Sequence, residues 1–454
     1  MAFNFNVIID MINIVNDSRV LQAGDIFVLE KHAINFLPQI IAKKPSKIMV
    51  WHQIANQVKT DIETVVYYDK SEIILLLKQY YKLPKNIWAI TGTNGKTSTA
   101  SFISQMWSLF NIENINIGTN GIITSNNCNI DVEIDNTTPS VFDFYRILSQ
   151  AKNHNIDHVV FEASSHGLHQ GRIDGLEVNI AGITNITQDH LDYHKNMQEY
   201  FDAKMLLFNK YLNGVAIVNA DIIEFEQIKT HCKNIVDYGY NAKCVRIVDS
   251  KFINGEFDAT LLINGKNYNV LLPVSAMFQV YNLCGVIAFF IAGGFNIEQI
   301  IANIVKLKSP IGRMEEVKKS IFVDYAHTPD ALQKALESIK HDKKIVVVFG
   351  CGGDRDKTKR LIMGNIAAKL ADIVIVTDDN PRTENAETIR KEIIGDNINF
   401  IEISDRSEAI KYAIKNYYPD YCILIAGKGH EDYQIIGTEK HYFSDQNQVK
   451  KFIL

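Results

Sequence analysis

The stretch that decides the fold is Ile87-Trp88-Ala89-Ile90-Thr91-Gly92-Thr93-Asn94-Gly95-Lys96-Thr97. The first five residues predict a short strand, the glycine-containing segment a tight loop, and residues 98–109 a helix. In such a strand–loop–helix unit, backbone N–H groups at the helix N-terminus cradle phosphate oxygens. Lys96 would neutralise the β- and γ-phosphates and the Thr97 hydroxyl would ligate Mg²⁺. An ordinary glycine-rich turn is the alternative, but the flanking strand and helix favour a nucleotide site.

Length and composition limit the class of protein. With 454 residues, the chain suggests about three domains. A hydrophobic content of 46% excludes wholesale disorder, and a net charge of −5 argues against a general nucleic-acid binder. The six cysteines are far apart and include no C-x-x-C pair, which indicates neither a disulfide framework nor a zinc site. They are typical of a reduced, cytoplasmic protein.

Neither the N-terminus nor the most apolar stretch predicts a membrane segment. MAFNFNVIIDMINIV lacks a basic region and a cleavage site, so we expect no secretory signal. Residues 283–295 are almost wholly apolar, but a membrane span needs about 20 such residues. We therefore predict a buried helix there and no membrane span.

The first two domains are predicted from local signals. Residues 1–86 form a candidate N-terminal domain that ends in the linker-like Leu83-Pro84-Lys85-Asn86. Residues 87–308 would form the central domain, with further strands at 158–161 and 180–184. Two Asn-Gly pairs, at Asn254 and Asn264, predict a small antiparallel ribbon at 252–272.

Residues 309–454 contain a repeated pattern of apolar runs and polar loops that predicts a third domain. Apolar runs at 345–349, 373–376 and 422–426 each lead into an unusual polar loop: GCGGDRDK, TDDNPR and GKGHED. In an open parallel sheet, ligands bind outside the carboxyl ends of the strands, where these loops would meet. The predicted fold class is therefore α/β, with a small N-terminal domain, a central P-loop ATPase-like parallel sheet and a Rossmann-like C-terminal domain.

Single residues allow two interpretations each. Glu162 ends a buried strand near the expected magnesium site, although alone it would be a structural acid. The segment 188–194, QDHLDYH, is dense in acid, base and metal-binding side chains, which are usually just solvated. Lys204, placed by pattern at the start of a helix, would by default be a surface charge.

Two arginines at strand ends, Arg355 and Arg382, predict a carboxylate site. A guanidinium grips a carboxylate through two parallel hydrogen bonds. The alternative is that both are surface arginines paired with the acidic residues of their own loops, Asp354, Asp356, Asp378 and Asp379. From the residues alone, the chain is a nucleotide-using α/β enzyme, and a carboxylate site is one of the two interpretations of its last domain.

Nine motifs, in order along nearly the whole chain, together resemble the Mur ligase family. They are Asp17-Ser18-Arg19 with AGDIFV, TGTNGKTS, NTTPS at 136–140, EASSHGLHQGR at 162–172, TNITQDHLDYH at 184–194, DYAHTPDAL at 324–332, CGGDRDKTKR at 351–360, DDNPRTE at 378–384 and AGKGHEDYQ at 426–434. Each motif is modestly specific, but nine in sequence are hard to obtain by chance.

The resemblance implies an activity and its substrates. It implies an ATP-dependent ligase that adds meso-diaminopimelate to UDP-N-acetylmuramoyl-L-alanyl-D-glutamate through an acyl phosphate, in peptidoglycan precursor synthesis for the cell wall. It further implies a cytoplasmic enzyme, a monomer, that uses Mg²⁺ and carries CO₂ as a lysine carbamate, with no nucleic-acid partner.

The resemblance also implies roles for residues. Catalysis falls to Lys96, Lys204, His190 and Glu162. The ATP positions are Gly92, Thr93, Asn94, Gly95, Lys96, Thr97, Ser98, Asn282, Arg313, Asp324 and His327. The UDP-muramoyl-dipeptide positions are Ser18, Asn136, Thr137, Thr138, Ser164, Gln170 and Arg172. The diaminopimelate positions are Arg355, Asp379, Asn380, Pro381, Arg382, Gly427 and Glu431. The metal positions are Thr97, Glu162, His190 and Lys204, the last modified to N6-carboxylysine.

The sequence DNPR marks the diaminopimelate-adding members of the family that the chain resembles. Diaminopimelate differs from lysine by a second carboxylate, so lysine would leave Arg382 without its partner. One rival is folylpolyglutamate synthase, against which the first domain and DDNPR argue. Another is a P-loop nucleotide switch that ligates nothing, which would leave Lys204 and the arginine pair without a role.

Overall fold

The computed structural model describes residues 12–191, 193–253, 255–339 and 343–453. Most of the N-terminal stretch in which we expect no secretory signal lies outside these residues. Asp192 of the 188–194 segment and Asn254 of the first Asn-Gly pair also lie outside them. The chain forms two compact units. One is built from Met1–Thr91, Asn111–Ala181 and His190–Gly214, and the other from Gly92–Phe110, Gly182–Asp189 and Val215–Leu454.

The described strands and helices alternate along most of the chain. The strands are β1 (Ile14–Val15), β2 (Ile26–Leu29), β3 (Lys47–Trp51), β4 (Thr64–Tyr67), β5 (Asn86–Thr91), β6 (Asn114–Gly118), β7 (Gly121–Thr124), β8 (His158–Glu162), β9 (Val178–Ile183), β10 (Leu212–Asn219), β11 (Ile235–Gly239), β12 (Val245–Ile253), β13 (Glu256–Ile263), β14 (Lys266–Leu272), β15 (Glu315–Lys318), β16 (Ile321–Asp324), β17 (Ile345–Phe349), β18 (Ile373–Val376), β19 (Ile401–Glu402), β20 (Cys422–Ala426), β21 (Tyr433–Ile436) and β22 (Glu439–Tyr442). The α-helices are α1 (Leu37–Ala42), α2 (Lys70–Tyr80), α3 (Lys96–Leu109), α4 (Val141–Asn153), α5 (Ser165–His169), α6 (Met197–Leu206), α7 (Phe225–Lys229), α8 (Met277–Ala292), α9 (Ile297–Ile304), α10 (Pro329–Ser338), α11 (Thr358–Leu370), α12 (Ala386–Ile394), α13 (Arg406–Tyr417) and α14 (Asp445–Phe452).

The first unit contains two groups of parallel strands. Strands β1 to β4 pair in chain order, all parallel, over a core that includes Phe27, Ile40 and Val50. Strand β8 pairs in parallel with both β5 and β6, and β7 closes this group antiparallel to β6. Because β6 and β8 are neighbours, their carboxyl ends place Gly118 beside Glu162.

The second unit holds the phosphate-loop helix and a β-ribbon. Helix α3 packs on the apolar helix α8, with the Trp107 and Phe290 ring centroids 6.2 Å apart. The ribbon is larger than the small one expected at 252–272, because β12, β13 and β14 form three antiparallel strands from Val245 to Leu272. Burial alternates along β13, so one face of this central strand is packed.

The C-terminal sheet belongs to the same unit and has the strand order β15-β16-β20-β17-β18-β19. Five strands are parallel and β15 is an antiparallel edge. Val347 and Val346 pack into clusters on opposite faces, which explains why β17 is an uninterrupted apolar run. The carboxyl ends of β20, β17 and β18 are therefore neighbours, as the three-loop pattern predicts.

The structure corrects several predicted boundaries. Helix α3 begins at Lys96 rather than at Ser98, and β9 ends at Ile183, before Thr184. The predicted buried helix begins earlier, at Met277. Lys204 lies in the last turn of α6 and not at its start, because Asn196 caps that helix. None of the described helices is long and apolar enough to cross a membrane.

Candidate active site

The phosphate loop has a backbone that only glycine allows. Gly92 and Gly95 have φ values of +136° and +86°. A Cβ on Gly92 would lie 2.0 Å from Thr184 Oγ1, and one on Gly95 would lie 2.7 Å from Asn282 Oδ1. Lys96 Nζ donates to the carbonyl oxygens of Gly92 and Thr93, both at 2.8 Å. The loop thus places its lysine over the turn where phosphates would bind.

Three residues that we did not predict as site residues hold Asn94 in this loop. Asn94 N donates to Asn185 Oδ1 at 3.0 Å, and Asn94 O accepts from Thr184 Oγ1 at 2.5 Å. Asn94 Nδ2 donates to Asp330 Oδ2 at 3.0 Å, and Lys334 donates to the same oxygen. These supporting residues lie within or beside the motifs TNITQDHLDYH and DYAHTPDAL. The motifs are therefore the sequence feature from which their role could have been predicted.

Two of the expected ATP residues have buried donors directed at this region. Among the described residues, Asn282 Nδ2 and Arg313 Nε are buried without a hydrogen-bond partner. Arg313 Nη2 donates to Thr97 Oγ1 at 3.2 Å, and its guanidinium lies 4.6 Å from the Tyr325 ring centre. A buried donor without an acceptor is costly, so a polar ligand such as a nucleotide would stabilise the site.

Asp324 ends β16, and His327 lies in the loop that follows it. Burial raises the pKa of Asp324 to about 6, although Arg313 and the Met314 N–H oppose the change. Asp324 Oδ2 accepts from Met314 N at 2.6 Å. His327 Nδ1 lies 2.8 Å from Tyr325 O. The structure therefore brings the phosphate loop, Arg313, Asp324 and the α8 asparagine together within one unit.

In the first unit, Glu162 is buried and held in place. Its two carboxylate oxygens accept from Thr119 N at 2.8 Å and from Thr119 Oγ1 at 3.1 Å. A Cβ on Gly118 would lie 2.2 Å from Glu162 Oε1, so only glycine fits beside this acid. The carboxylate is therefore fixed by its neighbours and is not a solvated acid.

Lys204 is not the surface lysine that its sequence context alone suggests. Its side chain is 1% exposed, and its Nζ lies 4.2 Å from the centre of the Tyr200 ring. A π-helical turn at Leu207–Tyr211 follows α6 directly, a distortion that is frequent at functional sites. Such deep burial of a cation indicates a specific role.

His190 and Tyr193, from the described part of the segment 188–194, lie against the histidines of α5. The rings of His190 and His166 lie 4.8 Å apart, and His169 Nδ1 lies 2.9 Å from Tyr193 Oη. His190 has a φ of +54°, a conformation that is uncommon for residues other than glycine. In the described part of the chain, no three His, Cys, Asp or Glu residues are arranged as a metal site. A metal ion held by Glu162 and His190 would thus need a further ligand.

Four of the seven expected dipeptide-binding residues, Thr138, Ser164, Gln170 and Arg172, form one hydrogen-bonded cluster. Thr138 Oγ1 donates to Glu162 O at 2.8 Å and accepts from Ser164 N at 2.9 Å. Arg172 Nη1 donates to Thr138 O at 2.8 Å, and its Nη2 donates to Gln170 Oε1 at 2.7 Å. Thr137 Oγ1 lies 3.2 Å from Thr119 Oγ1, while Asn136 is exposed. Ser18 is half-buried in the N-terminal loop, and Lys43 donates to its carbonyl oxygen.

Arg355 and Arg382 both flank Gly352. A Cβ there would lie 2.9 Å from Arg382 Nη1 and 4.0 Å from Arg355 Cγ. Arg382 Nη1 donates to Gly353 O at 2.7 Å, and its φ of +53° is uncommon for arginine. In the described residues, neither arginine forms an ion pair with a carboxylate.

The acidic residues of these loops have other partners, which argues against simple surface pairing. Asp354 accepts from Thr383, Asp356 from Thr358 and Asp378 from Arg390. Asp379 is buried against Gly427, where a Cβ would lie 2.7 Å from Asp379 Oδ2. Pro381 O would lie 1.9 Å from a Cβ on Gly353, so the two loops are tightly packed. The two guanidinium groups therefore remain available for a ligand's carboxylate.

Comparisons with known proteins agree with this geometry. The Mur ligase middle domain matches residues 90–290, and the Mur ligase glutamate ligase domain matches residues 312–429. A Rickettsia bellii protein named UDP-N-acetylmuramoyl-L-alanyl-D-glutamate–2,6-diaminopimelate ligase is 40% identical over 449 residues, covering 95% of this chain and 93% of that protein. The chain belongs to the Mur ligase family. It is therefore an ATP-dependent ligase.

Two further relatives support the family assignment. An Anaplasma marginale protein of the same name is 38% identical over 460 residues, covering 96% of this Mur ligase and 95% of that protein. A solved structure with that name is 29% identical, with a TM-score of 0.68, and covers 97% of this chain and 94% of its own. The α/β fold class is confirmed, with the three-domain architecture of Mur ligases. The exact boundaries at residues 86 and 308 remain predictions.

The buried acid of this Mur ligase predicts a pH-dependent stability. Because the pKa of Asp324 is about 6 in the folded chain against 3.8 for an ordinary aspartate, the folded state binds more protons between these values. Its contribution to stability is therefore lost as the pH rises through about 6. We expect Asp324→Asn to raise the free energy of unfolding at pH 7.5 by up to about 3 kcal/mol.

Urea unfolding at several pH values checks this expectation. The gain of Asp324→Asn over wild type should shrink toward zero between pH 6 and pH 4. A difference that does not change with pH would show that burial of the charge is not its cause.

Proposed function

We propose that this Mur ligase adds meso-diaminopimelate to the D-glutamyl carboxylate of UDP-N-acetylmuramoyl-L-alanyl-D-glutamate. The observation that carries the proposal is the charge pattern at the carboxyl ends of β17, β18 and β20. Arg355 and Arg382 lack carboxylate partners there among the described residues, and Asp379 and Glu431 lie on the adjoining loops. Diaminopimelate has two carboxylates and two ammonium groups, so it complements this pattern. The names of the relatives support the same substrate.

The first step is transfer of the γ-phosphoryl group of ATP. One oxygen of the D-glutamyl carboxylate attacks the γ-phosphorus, the bond to the β,γ-bridging oxygen breaks, and ADP leaves. The phosphate-loop N–H groups and Lys96 hold the transferring group and stabilise its charge, because this chemistry depends on positioning and electrostatics. The product is an acyl phosphate.

The second step forms the amide. The amino group of diaminopimelate attacks the acyl carbon and gives a tetrahedral intermediate, which expels phosphate, and the nitrogen loses a proton. Arg355 and Arg382 would orient the amino acid through its carboxylates, so that the amine points at the acyl carbon. The cluster around Thr138, Ser164 and Arg172 would hold the muramoyl dipeptide.

Mg²⁺ would be held by Thr97, Glu162, His190 and Lys204 in its carbamate form. The buried, fixed carboxylate of Glu162 fits a magnesium site, because Mg²⁺ prefers oxygen ligands. Carbamylation would turn the buried Lys204 cation into an anion with two further oxygens. When bound, the metal supplies charge neutralisation to the reacting phosphates.

Specificity against lysine follows from the second carboxylate. Lysine would leave the half-buried guanidinium of Arg382 without a carboxylate partner, and such losses reduce acceptance by orders of magnitude. We further propose that the enzyme works in the cytoplasm as a monomer, without a nucleic-acid partner. The proposed domains are residues 1–86 for the nucleotide sugar, 87–308 for ATP and 309–454 for the amino acid.

ADP release by the purified protein tests this function. The reaction contains Mg²⁺, ATP and UDP-N-acetylmuramoyl-L-alanyl-D-glutamate, with meso-diaminopimelate, L-lysine or no amino acid. We expect release only with diaminopimelate. Release with lysine would contradict the specificity but keep the ligase, and no response to either would favour a folate-type ligase or a nucleotide switch.

A further inference from the structure

A lysine without an assigned role lies buried directly behind the proposed amino-acid site. Lys428 follows Gly427 in the loop after β20, and its side chain is 0% exposed. Its Nζ donates to Asn380 Oδ1 at 3.0 Å and to Glu431 Oε2 at 3.2 Å. Buried lysines are rare unless they are paired, so the position calls for a specific role.

Lys428 completes a closed ring of hydrogen bonds with these two residues. Asn380 Nδ2 donates to the same Glu431 Oε2 at 2.9 Å, and Asn380 Oδ1 also accepts from Ile435 N at 2.9 Å. A lysine ammonium only donates, so it must face the oxygen of the Asn380 amide and leave the NH₂ group to face Glu431. Lys428 and the Ile435 N–H together thus fix which way the amide points.

The ring leaves one carboxylate oxygen for a ligand. Both bonds reach Glu431 Oε2, while Glu431 Oε1 accepts no hydrogen bond from the described residues. The Glu431 side chain is 15% exposed, so it is close to the surface of the site. An ammonium group of the incoming amino acid could bind at this oxygen. Lys428 would balance the negative charge of Glu431 from the buried side of the carboxylate.

The same ring anchors the loop that carries Arg382. Arg382 N donates to Ile435 O at 3.1 Å, and Gly437 N donates to Arg382 O at 2.8 Å. Gln434 Nε2 donates to Asp379 O at 2.7 Å, so β21 is hydrogen-bonded to Asp379, Asn380 and Arg382, the three residues of DNPR other than the proline. Asn380, held by Lys428, is the side chain through which this loop and the loop after β20 are connected.

We propose that Lys428 is a positioning residue for the amino-acid substrate, which acts through Asn380 and Glu431. It holds Glu431 toward one ammonium group of diaminopimelate and keeps the Arg382 loop in place for a carboxylate. This inference rests on the proposed function, because it assigns these loops to the amino acid rather than to ATP.

Steady-state kinetics of Lys428→Met test the inference. We expect the KM for diaminopimelate to rise about 30-fold, because a buried carboxylate loses its counter-charge, while the KM for ATP changes less than about twofold. The matched control is Lys440→Met. Lys440 is an exposed lysine whose Nζ lies 3.8 Å from the centre of the Tyr433 ring, a ring that Lys428 Nζ also approaches, at 5.6 Å. Its loss should leave both KM values unchanged.

A double-mutant cycle separates positioning from general damage. In a Glu431→Gln background, adding Lys428→Met should change the diaminopimelate KM less than about threefold, because the charge that Lys428 balances is already gone. Equal effects in both backgrounds, or equal effects on the ATP and diaminopimelate KM values, would overturn the inference.

Two controls keep the result interpretable. If Lys428→Met does not fold, Lys428→Arg is measured instead. Arginine retains the charge, but its planar guanidinium cannot replace the compact ammonium group between Asn380 and Glu431. An unchanged diaminopimelate KM in that variant would overturn the inference, and a rise of about fivefold or more would support it. Wild-type protein is measured in parallel, so a lack of diaminopimelate-dependent ADP release there would refute the proposed function instead.

Discussion

Replacement of Lys204 by alanine is expected to lower turnover by at least about 1,000-fold, with bicarbonate unable to restore it. The side chain is buried and the carbamate would supply negative charge for Mg²⁺, which alanine cannot replace. ADP release under saturating substrates measures the effect. Near-normal turnover would refute the carbamate role.

Two comparisons distinguish loss of a carbamate from loss of structure. Lys195→Ala removes a lysine nearby in the chain whose side chain is 86% exposed, and it should keep full activity. Wild-type enzyme depleted of CO₂ should lose activity and regain it when bicarbonate is added, whereas Lys204→Ala should not respond. Thermal unfolding of both variants shows whether the fold is intact.

Arg382→Ala is expected to raise the KM for diaminopimelate about 100-fold or more, and Arg382→Lys to raise it nearly as much. Only arginine offers the two parallel donors that match a carboxylate. The KM for ATP should change less than about threefold, because Arg382 lies on the amino-acid loop. Initial rates with each substrate varied in turn give both constants.

Arg246→Ala is the control for this comparison, since Arg246 is exposed on β12. Equal increases in the two KM values of Arg382→Ala would place the arginine at the nucleotide or in a structural role. An unchanged diaminopimelate KM would remove Arg382 from the site.

Local patterns in the sequence were sufficient for the strands and the phosphate loop. The apolar runs at 345–349, 373–376 and 422–426 correspond to β17, β18 and β20, residue for residue. Such strands are buried on both faces, so they appear as continuous apolar runs. The phosphate loop was predictable because its backbone conformation requires glycine at two positions, and these glycines are visible in the sequence.

Other features depend on contacts between distant segments, which no local pattern encodes. Lys204 has the sequence context of a surface lysine, and only packing of α6 buries it. Lys428 and Asn380 are 48 residues apart in the chain and meet because β20 and β18 both neighbour β17. Most of strand β12 lies before the predicted ribbon at 252–272, because Asn-Gly turns mark where strands end and not how long they are.

The roles of the site residues were predicted from motifs, and the structure places several of them together. Thr138, Ser164, Gln170 and Arg172 share one hydrogen-bonded cluster, and Arg355 and Arg382 flank one glycine. Their contacts to substrates remain predictions. Asn185 and Asp330 lie within the motifs, but their supporting role could not be predicted from residue type, because asparagine and aspartate are common in loops.

A competition experiment tests the central claim most directly. Purified protein is incubated with Mg²⁺, ATP, UDP-N-acetylmuramoyl-L-alanyl-D-glutamate and equal concentrations of meso-diaminopimelate and L-lysine, and the nucleotide products are identified by mass spectrometry. We expect one product, heavier than the substrate by a single diaminopimelate residue. A product heavier by a lysine residue, or no amide product, would contradict it.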